Sequence, residues 1–333
     1  MTAGRERGLD GPLVAGVDVG GTKTLVVVTD CRDVILHKHV APTDRTSLVG
    51  QIAGLVDDAR RQLRQDIAAV GVAVPGFVDP DDGSVSMAVN LGITHLPLGT
   101  MLQTELGIPT FVEHDARAAA FWVSEQAEDG SDETPRSVAF LAIGTGISAG
   151  VILDGELFRG DNSYAGEVGH VVADPEGAVC ACGLRGCLET IVAGPAIARQ
   201  VDEALAAGRS SVLSPHSDAA AVFRAASAGD AVAVEITERV ADHLARAIRS
   251  LVLTLGVKRV VIGGGVAAAG PALLEPIQSR IAHERAASPL AQAAMGDVTV
   301  ELLSPTQAPG ARGAAAIARH RIGLPEREGV GER

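Results

Sequence analysis

The chain has 333 residues, 47% of them hydrophobic but only 2% aromatic, so any core must be filled by Ala, Val, Leu and Ile rather than by rings. That length exceeds the roughly 250–300 residues at which single cores stop growing, so two lobes with a cleft are expected. A formal charge of −13 without a Lys or Arg run argues against a nucleic-acid face, and no window reaches the ~18 uninterrupted apolar residues of a membrane span. The reading is of a soluble cytoplasmic protein.

From Leu13 the chain runs LVAGVDVGGTKTLVVVTD, two Val-rich strands around a glycine turn, closed by turn residues 30–33. A helix is expected over 46–65, where Leu48, Ile52, Leu55, Val56, Ala59 and Leu63 recur at helical spacing and Asp44 or Thr46 could cap the start. IAAVGVAVPGFV reads as a buried strand ended by Pro75 and Gly76. PTFVEH reads as a short strand, with Asp115 at the start of the helical ARAAAFWVSEQ. The polar, acidic stretch 124–135 reads as a surface loop near the start of the second lobe.

The strand pattern then restarts. SVAFLAIGTGISAGVILDG repeats the opening logic of apolar run, glycine turn and apolar run, a repeat of structure rather than of letters. Helices are expected over 194–207 and 230–255, followed by the strand KRVVIGGGV, a helix from Pro271, the strand DVTVELL and a closing helix over 311–320. The tail beyond Leu324 is expected to be mobile. The expected division is an N-terminal α/β lobe at 12–117, a C-terminal α/β lobe at 118–309, and a segment 310–325 returning to the first. Trp122, the single Trp, reads as packing.

In both glycine turns the glycines are followed by a strand, not a helix, so neither is a P-loop or a dinucleotide fingerprint. Each is a hairpin tip, at 18–23 and 144–148. A plain turn explains either one alone. The pair, with a third glycine run after a strand at 263–266, points to backbone N–H groups aimed at nucleotide phosphates.

The cysteines are grouped. Cys180, Cys182 and Cys187 follow His170 closely while Cys31 stands apart, which suits a metal better than a disulfide framework and favours a reducing compartment. Three thiols and an imidazole suit a closed, structural Zn²⁺ site with no open position for water. The alternative is three buried free thiols and a surface histidine. Asp115, at a strand end and helix start, is either an N-cap or a carboxylate poised to take a proton.

DVGGTKT, GTGISAG and IGGGV, in this order, resemble the phosphate-one, phosphate-two and adenosine motifs of actin-like sugar kinases. Together with ExGH and CxCGxxGCxE they resemble the ROK family, which includes glucokinases, fructokinases, N-acylhexosamine kinases and sugar-responsive repressors. The resemblance spans about Leu13 to Ala318. It implies a two-lobed α/β actin-like ATPase (ribonuclease H-like) fold with an interlobe cleft and a zinc-bound loop. It also implies ATP, Mg²⁺ near Asp18, and phosphates near Gly20, Gly21, Thr22, Lys23, Gly144, Thr145 and Gly146, with the nucleoside near Gly264 and Gly265. Zinc would be held by His170, Cys180, Cys182 and Cys187. Asp115 would be the general base. Glu167, His170 and Glu189 would touch the sugar, with Gly76, Asn90 and His114 as further substrate neighbours.

Three positions depart from the family pattern. His114 and Arg117 stand where Asn is usual, and Ser148 where Gly is usual; a Trp expected near Asn90 is missing. The expected activity is therefore ATP-dependent phosphorylation of a hexose primary hydroxyl, with an N-acylhexosamine or a cyclitol as alternative acceptors. A non-catalytic sugar sensor is the reading of another class; the repressors carry a helix-turn-helix, and only about a dozen residues precede the first strand. The resemblance further implies a homodimer or homotetramer.

Overall fold

The computed structural model describes residues 11–126 and 137–324. Most of the stretch expected as an acidic surface loop and all of the tail beyond Leu324 lie outside them. The chain divides into two compact units, Met1–Asp132 with Ala308–Arg333, and Glu133–Gln307.

In the first unit, β1 (Leu13–Val19), β2 (Lys23–Thr29) and β3 (Ile35–Pro42) form an antiparallel meander. The polar sequence of β3 hid it from the periodicity reading: Lys38, His39 and Val40 are exposed on an edge strand held by backbone pairing to β2. Helix α1 (Leu48–Leu63) is slightly shorter than expected and starts after Ser47, while Asp44 accepts N–H bonds from Thr46 and Ser47 in the preceding turn. Strand β4 (Ile67–Val74) pairs parallel to β1. A small antiparallel sheet of β5 (Phe77–Val78), β6 (Val85–Ala88) and β7 (Ile93–Leu96), and then α2 (Leu98–Leu106), were not anticipated. Strand β8 (Thr110–His114) runs parallel to β4 and leads straight into α3 (Asp115–Glu125). The order is β3-β2-β1-β4-β8. Because β1, β4 and β8 are parallel, their C-terminal ends lie along one edge, the edge where open α/β sheets place ligands. Asp18, Gly76 and Asp115 all fall there.

The second unit repeats the plan. Strands β9 (Val138–Ile143), β10 (Ile147–Leu153) and β11 (Glu156–Leu157) are antiparallel. Helices α4 (Glu189–Val192), α5 (Gly194–Ala206), α6 (Ala219–Ser227) and α7 (Ala231–Leu255) follow. Strand β12 (Arg259–Gly263), helices α8 (Pro271–Ala287) and α9 (Pro289–Met295), and β13 (Thr299–Leu302) complete it. The order is β11-β10-β9-β12-β13, with β12 parallel to both β9 and β13. The periodic apolar positions of α7 run Val234, Ile236, Val240, Leu244, Ile248 and Leu251; all are buried except Val234, which is exposed, and Asp230 caps the helix by accepting the Ala233 N–H.

The last helix, α10 (Pro309–Arg321), belongs to the first unit, where it packs on β1, β4 and α3. Backbone meets backbone there. A Cβ on Gly16 would lie 1.9 Å from the Ala311 carbonyl oxygen and one on Gly71 1.8 Å from that of Ala314, so only glycine admits the helix. The unit boundary differs from the expected one at 117, because α3 is fastened to α10 and stays with the first unit. Trp122 of α3 is buried; its Nε1–H donates to Asp33 at 2.8 Å and the Arg312 guanidinium lies 4.6 Å from its ring centroid.

Candidate active site and metal centre

On the first unit's edge, Asp18 sits at the penultimate position of β1, half-buried. Desolvation by burial is the main cause of a pKa raised to about 7; the Asp115 charge adds to it and Lys23 opposes it. Gly310 leaves room for this carboxylate: a Cβ there would lie 2.7 Å from Asp18 Oδ2. Gly310 carried no signal in the sequence beyond a Pro-Gly pair at a helix start.

Asp115 is the first residue of α3, one position inside the helix, while His114 occupies the cap position. Its Oδ1 accepts the Ala116 N–H at 2.6 Å and lies 3.4 Å from His114 Nε2. The side chain is about a third exposed, at 36%. His114 is buried beside this carboxylate. Arg117 is elsewhere. It is 2% exposed, and its Nε donates to Glu113 Oε1 at 2.7 Å, tying the first turn of α3 to the end of β8.

The first glycine turn is a tight hairpin tip in which the Gly20 N–H donates to the Lys23 carbonyl at 2.9 Å. Thr22 and Lys23 are exposed on it. Asn90, in a 3-10 turn after β6, packs on this tip: a Cβ on Gly21 would meet its Cβ and carbonyl oxygen, each at 3.4 Å. Gly76 has a left-handed φ of 98°, and a Cβ there would lie 2.8 Å from both the Ser86 carbonyl oxygen and the Ala88 Cβ, so the packing of β6 requires glycine at this end of the sheet edge.

In the second unit the tip comprises Gly144, exposed Thr145 and Gly146, with the Gly144 N–H donating to the Gly146 carbonyl at 2.9 Å. Ser148 lies past the turn, within β10 and paired with Ala142, so its replacement of glycine leaves the tip unaltered. The adenosine-motif turn is adjacent: a Cβ on Gly264 would lie 2.4 Å from the Ile143 carbonyl oxygen, and one on Gly144 4.0 Å from the Gly265 nitrogen. The ExGH segment lies along β10, where Gly166 accepts the Ala149 N–H at 2.7 Å and Glu167 precedes a 3-10 turn ending in His170. Glu189 begins α4, and its Oε2 accepts the Ile147 N–H at 3.2 Å.

Beside Glu189, one donor atom each from His170, Cys180, Cys182 and Cys187 lies within 4.8 Å of all the others. Cys180 Sγ is 3.7 Å from His170 Nδ1 and Cys182 Sγ is 3.6 Å from Cys187 Sγ. Zinc–sulfur bonds of about 2.3 Å imply tetrahedral edges of roughly 3.8 Å, so the cluster could hold one zinc ion with little rearrangement. Burial pushes the Cys187 thiol up to about 12 and raises that of Cys180, whereas the Leu184 N–H lowers Cys182. Two of the thiols thus sit where only a cation would make a thiolate favourable.

The ROK family model matches residues 14–321, and the chain belongs to the ROK family. A glucokinase of Halalkalibacterium halodurans is 34% identical over 277 residues, covering 79% of this chain and 83% of that protein. The N-acetylglucosamine repressor of Escherichia coli is 30% identical over 307 residues, covering 83% of this chain and 74% of the repressor. Among solved structures, a ROK family glucokinase from Streptomyces griseus in complex with glucose and AMPPNP superposes with a TM-score of 0.73 at 28% identity, covering 92% of this chain and 99% of that one. The fold is therefore the α/β actin-like ATPase fold, which agrees with the repeated sheet order of the two units.

Proposed function

We propose that this chain transfers the γ-phosphoryl group of ATP to the primary hydroxyl of a hexose, giving a 6-phosphate, with glucose as the default acceptor. It is an ATP-dependent sugar kinase of the ROK family. The observation that carries the assignment is the pairing of Asp115 with Asp18 on one sheet edge, close enough that the charge of the first raises the pKa of the second. Phosphoryl transfer needs a carboxylate to accept the hydroxyl proton and dipoles on the phosphates, and little covalent chemistry besides. Asp115 takes the proton as the hydroxyl oxygen bonds to the γ-phosphorus, and ADP leaves with the electrons of the broken P–O bond. Glu167, His170 and Glu189 are the proposed acceptors for sugar hydroxyls, with Asn90 as a further partner.

Asp18 is the proposed Mg²⁺ holder, since a half-buried carboxyl titrating near 7 suits a site whose charge is restored by a cation. Such an ion supplies charge neutralisation at the phosphates. Zinc at the Cys₃His cluster is proposed as structural, all four coordination positions being filled by protein.

His114 beside the base keeps an N-acylhexosamine or a cyclitol as alternative acceptors. A non-catalytic sensor is the competing class, favoured by the repressor relative. Among the described residues no helix is long and apolar enough to cross a membrane, and a cytoplasmic homodimer or homotetramer acting on small molecules completes the proposal. A coupled ADP-release assay across hexoses, aminosugars and cyclitols tests it. Sugar-dependent turnover that disappears in Asp115→Asn, with the fold retained, is expected; release no faster with any acceptor than without one would leave the sensor.

A further inference from the structure

Three successive carbonyls of the first hairpin tip are held by one short segment that follows β3. The Gly20 carbonyl accepts the Thr43 hydroxyl at 2.7 Å, and the Thr22 carbonyl accepts the Thr43 N–H at 3.1 Å. Between them the Gly21 carbonyl accepts two guanidinium bonds from Arg45, from Nη2 at 2.7 Å and Nε at 3.2 Å. The segment is itself anchored. Gln51 of α1 donates to the Pro42 carbonyl at 2.6 Å and accepts the Asp44 N–H at 2.9 Å, while buried Thr24 lies 3.1 Å from the Thr43 hydroxyl.

A trans peptide points its C=O and the next N–H in opposite directions, and no peptide bond among the described residues is cis. Fixing the oxygens of Gly20, Gly21 and Thr22 on the side of Thr43 and Arg45 therefore turns the amides of Gly21, Thr22 and Lys23 to the other side. Successive amides so aligned form an anion-binding concavity.

We propose that Thr43 and Arg45 are positioning residues that set the amides of the first hairpin as a cradle for the phosphates of ATP. The inference rests on the kinase reading and adds to it a strap that no glycine motif contains. Without the strap, a Gly-Gly-Thr tip would sample many peptide orientations, and ordering it would weaken phosphate binding.

The test is titration calorimetry of the full chain with AMPPNP and, separately, with adenosine, alongside steady-state kinetics. Arg45→Ala and Thr43→Val should each weaken AMPPNP by about tenfold or more and raise the KM for ATP, with adenosine affinity and sugar KM within about twofold. Thr43→Ser, which keeps the hydroxyl, should restore affinity. AMPPNP affinity unchanged in either variant, or adenosine weakened as much as AMPPNP, would overturn the strap; circular dichroism identifies a variant that has not folded, for which Arg45→Gln and Thr43→Ala substitute. A wild type that binds AMPPNP but phosphorylates no acceptor would refute the kinase reading while leaving the calorimetric comparison intact.

Discussion

The Glu189 carboxylate accepts the Ile147 N–H at 3.2 Å, so the residue that closes the cysteine motif is bonded to the strand that leaves the second glycine hairpin. Its other oxygen lies 3.9 Å from Cys180 Sγ. The carboxylate also fills the space of a Gly146 side chain, since a Cβ there would be 2.3 Å from Oε2. The cysteine loop and the second glycine hairpin thus share one side chain.

Glu189→Ala would leave the Ile147 N–H without this acceptor and open space beside Gly146. The expected loss is about 1–3 kcal/mol in denaturant unfolding, whereas Glu189→Gln, which can still accept, should stay within about 1 kcal/mol of wild type. Equal losses in both would mean that the hydrogen bond to Ile147 contributes nothing.

Elemental analysis should find about one zinc per chain, and chelation should lower the melting temperature. Zinc binding needs thiolates, and burial holds the Cys187 thiol of the metal-free chain up to about 12. Protons therefore compete with the metal, and zinc affinity should fall as pH is lowered. A dye-competition titration at two pH values reads this; a pH-independent affinity would contradict the ligand set.

Asp18 titrates near 7 in the folded chain against an ordinary value of 3.8. Its charged form is therefore disfavoured by folding, a penalty that is absent at low pH, grows as pH rises above 3.8 and is complete above about 7. Asp18→Asn should consequently gain unfolding free energy relative to wild type at pH 8 but not at pH 4, by an amount on the order of a few kcal/mol at most, read by denaturant unfolding at the two pH values. A gain of the same size at both values would remove the proposed titration.

Arg117 and Glu113 form a buried ion pair. Removing one partner from such a pair typically costs about 3–5 kcal/mol, because the other charge stays buried. Arg117→Leu should lose stability on that scale, and the double variant with Glu113→Gln should recover most of it. Acceptor preference should be unaltered in the double variant, because Arg117 is packed against Glu113 inside the unit. A changed acceptor profile would return Arg117 to the substrate site.

What the sequence determined by itself was carried by short-range spacing. Cys180, Cys182 and Cys187 sit so close along the chain that the loop can do little except gather them, and the glycines between Val-rich runs can hardly be anything but hairpin tips. The 3.6-residue period of α7 and the alternating plan of the two sheets were legible for the same reason: the pattern and the contacts that enforce it lie in one window.

Tertiary structure decided what depends on partners far along the chain. Gly16 and Gly71 read as ordinary strand glycines until α10, more than two hundred residues later, lays its backbone on them. Arg117 departs from the family pattern in the sequence, and only the fold shows its guanidinium buried against Glu113. Edge strand β3 has no apolar alternation to announce it, because its order comes from backbone bonds to β2. Thr43 and Arg45 belong to no motif, and only the fold brings them onto the carbonyls of Gly20, Gly21 and Thr22. A hydrogen bond between distant residues leaves no period in the sequence, so it becomes visible only once the chain has closed on itself.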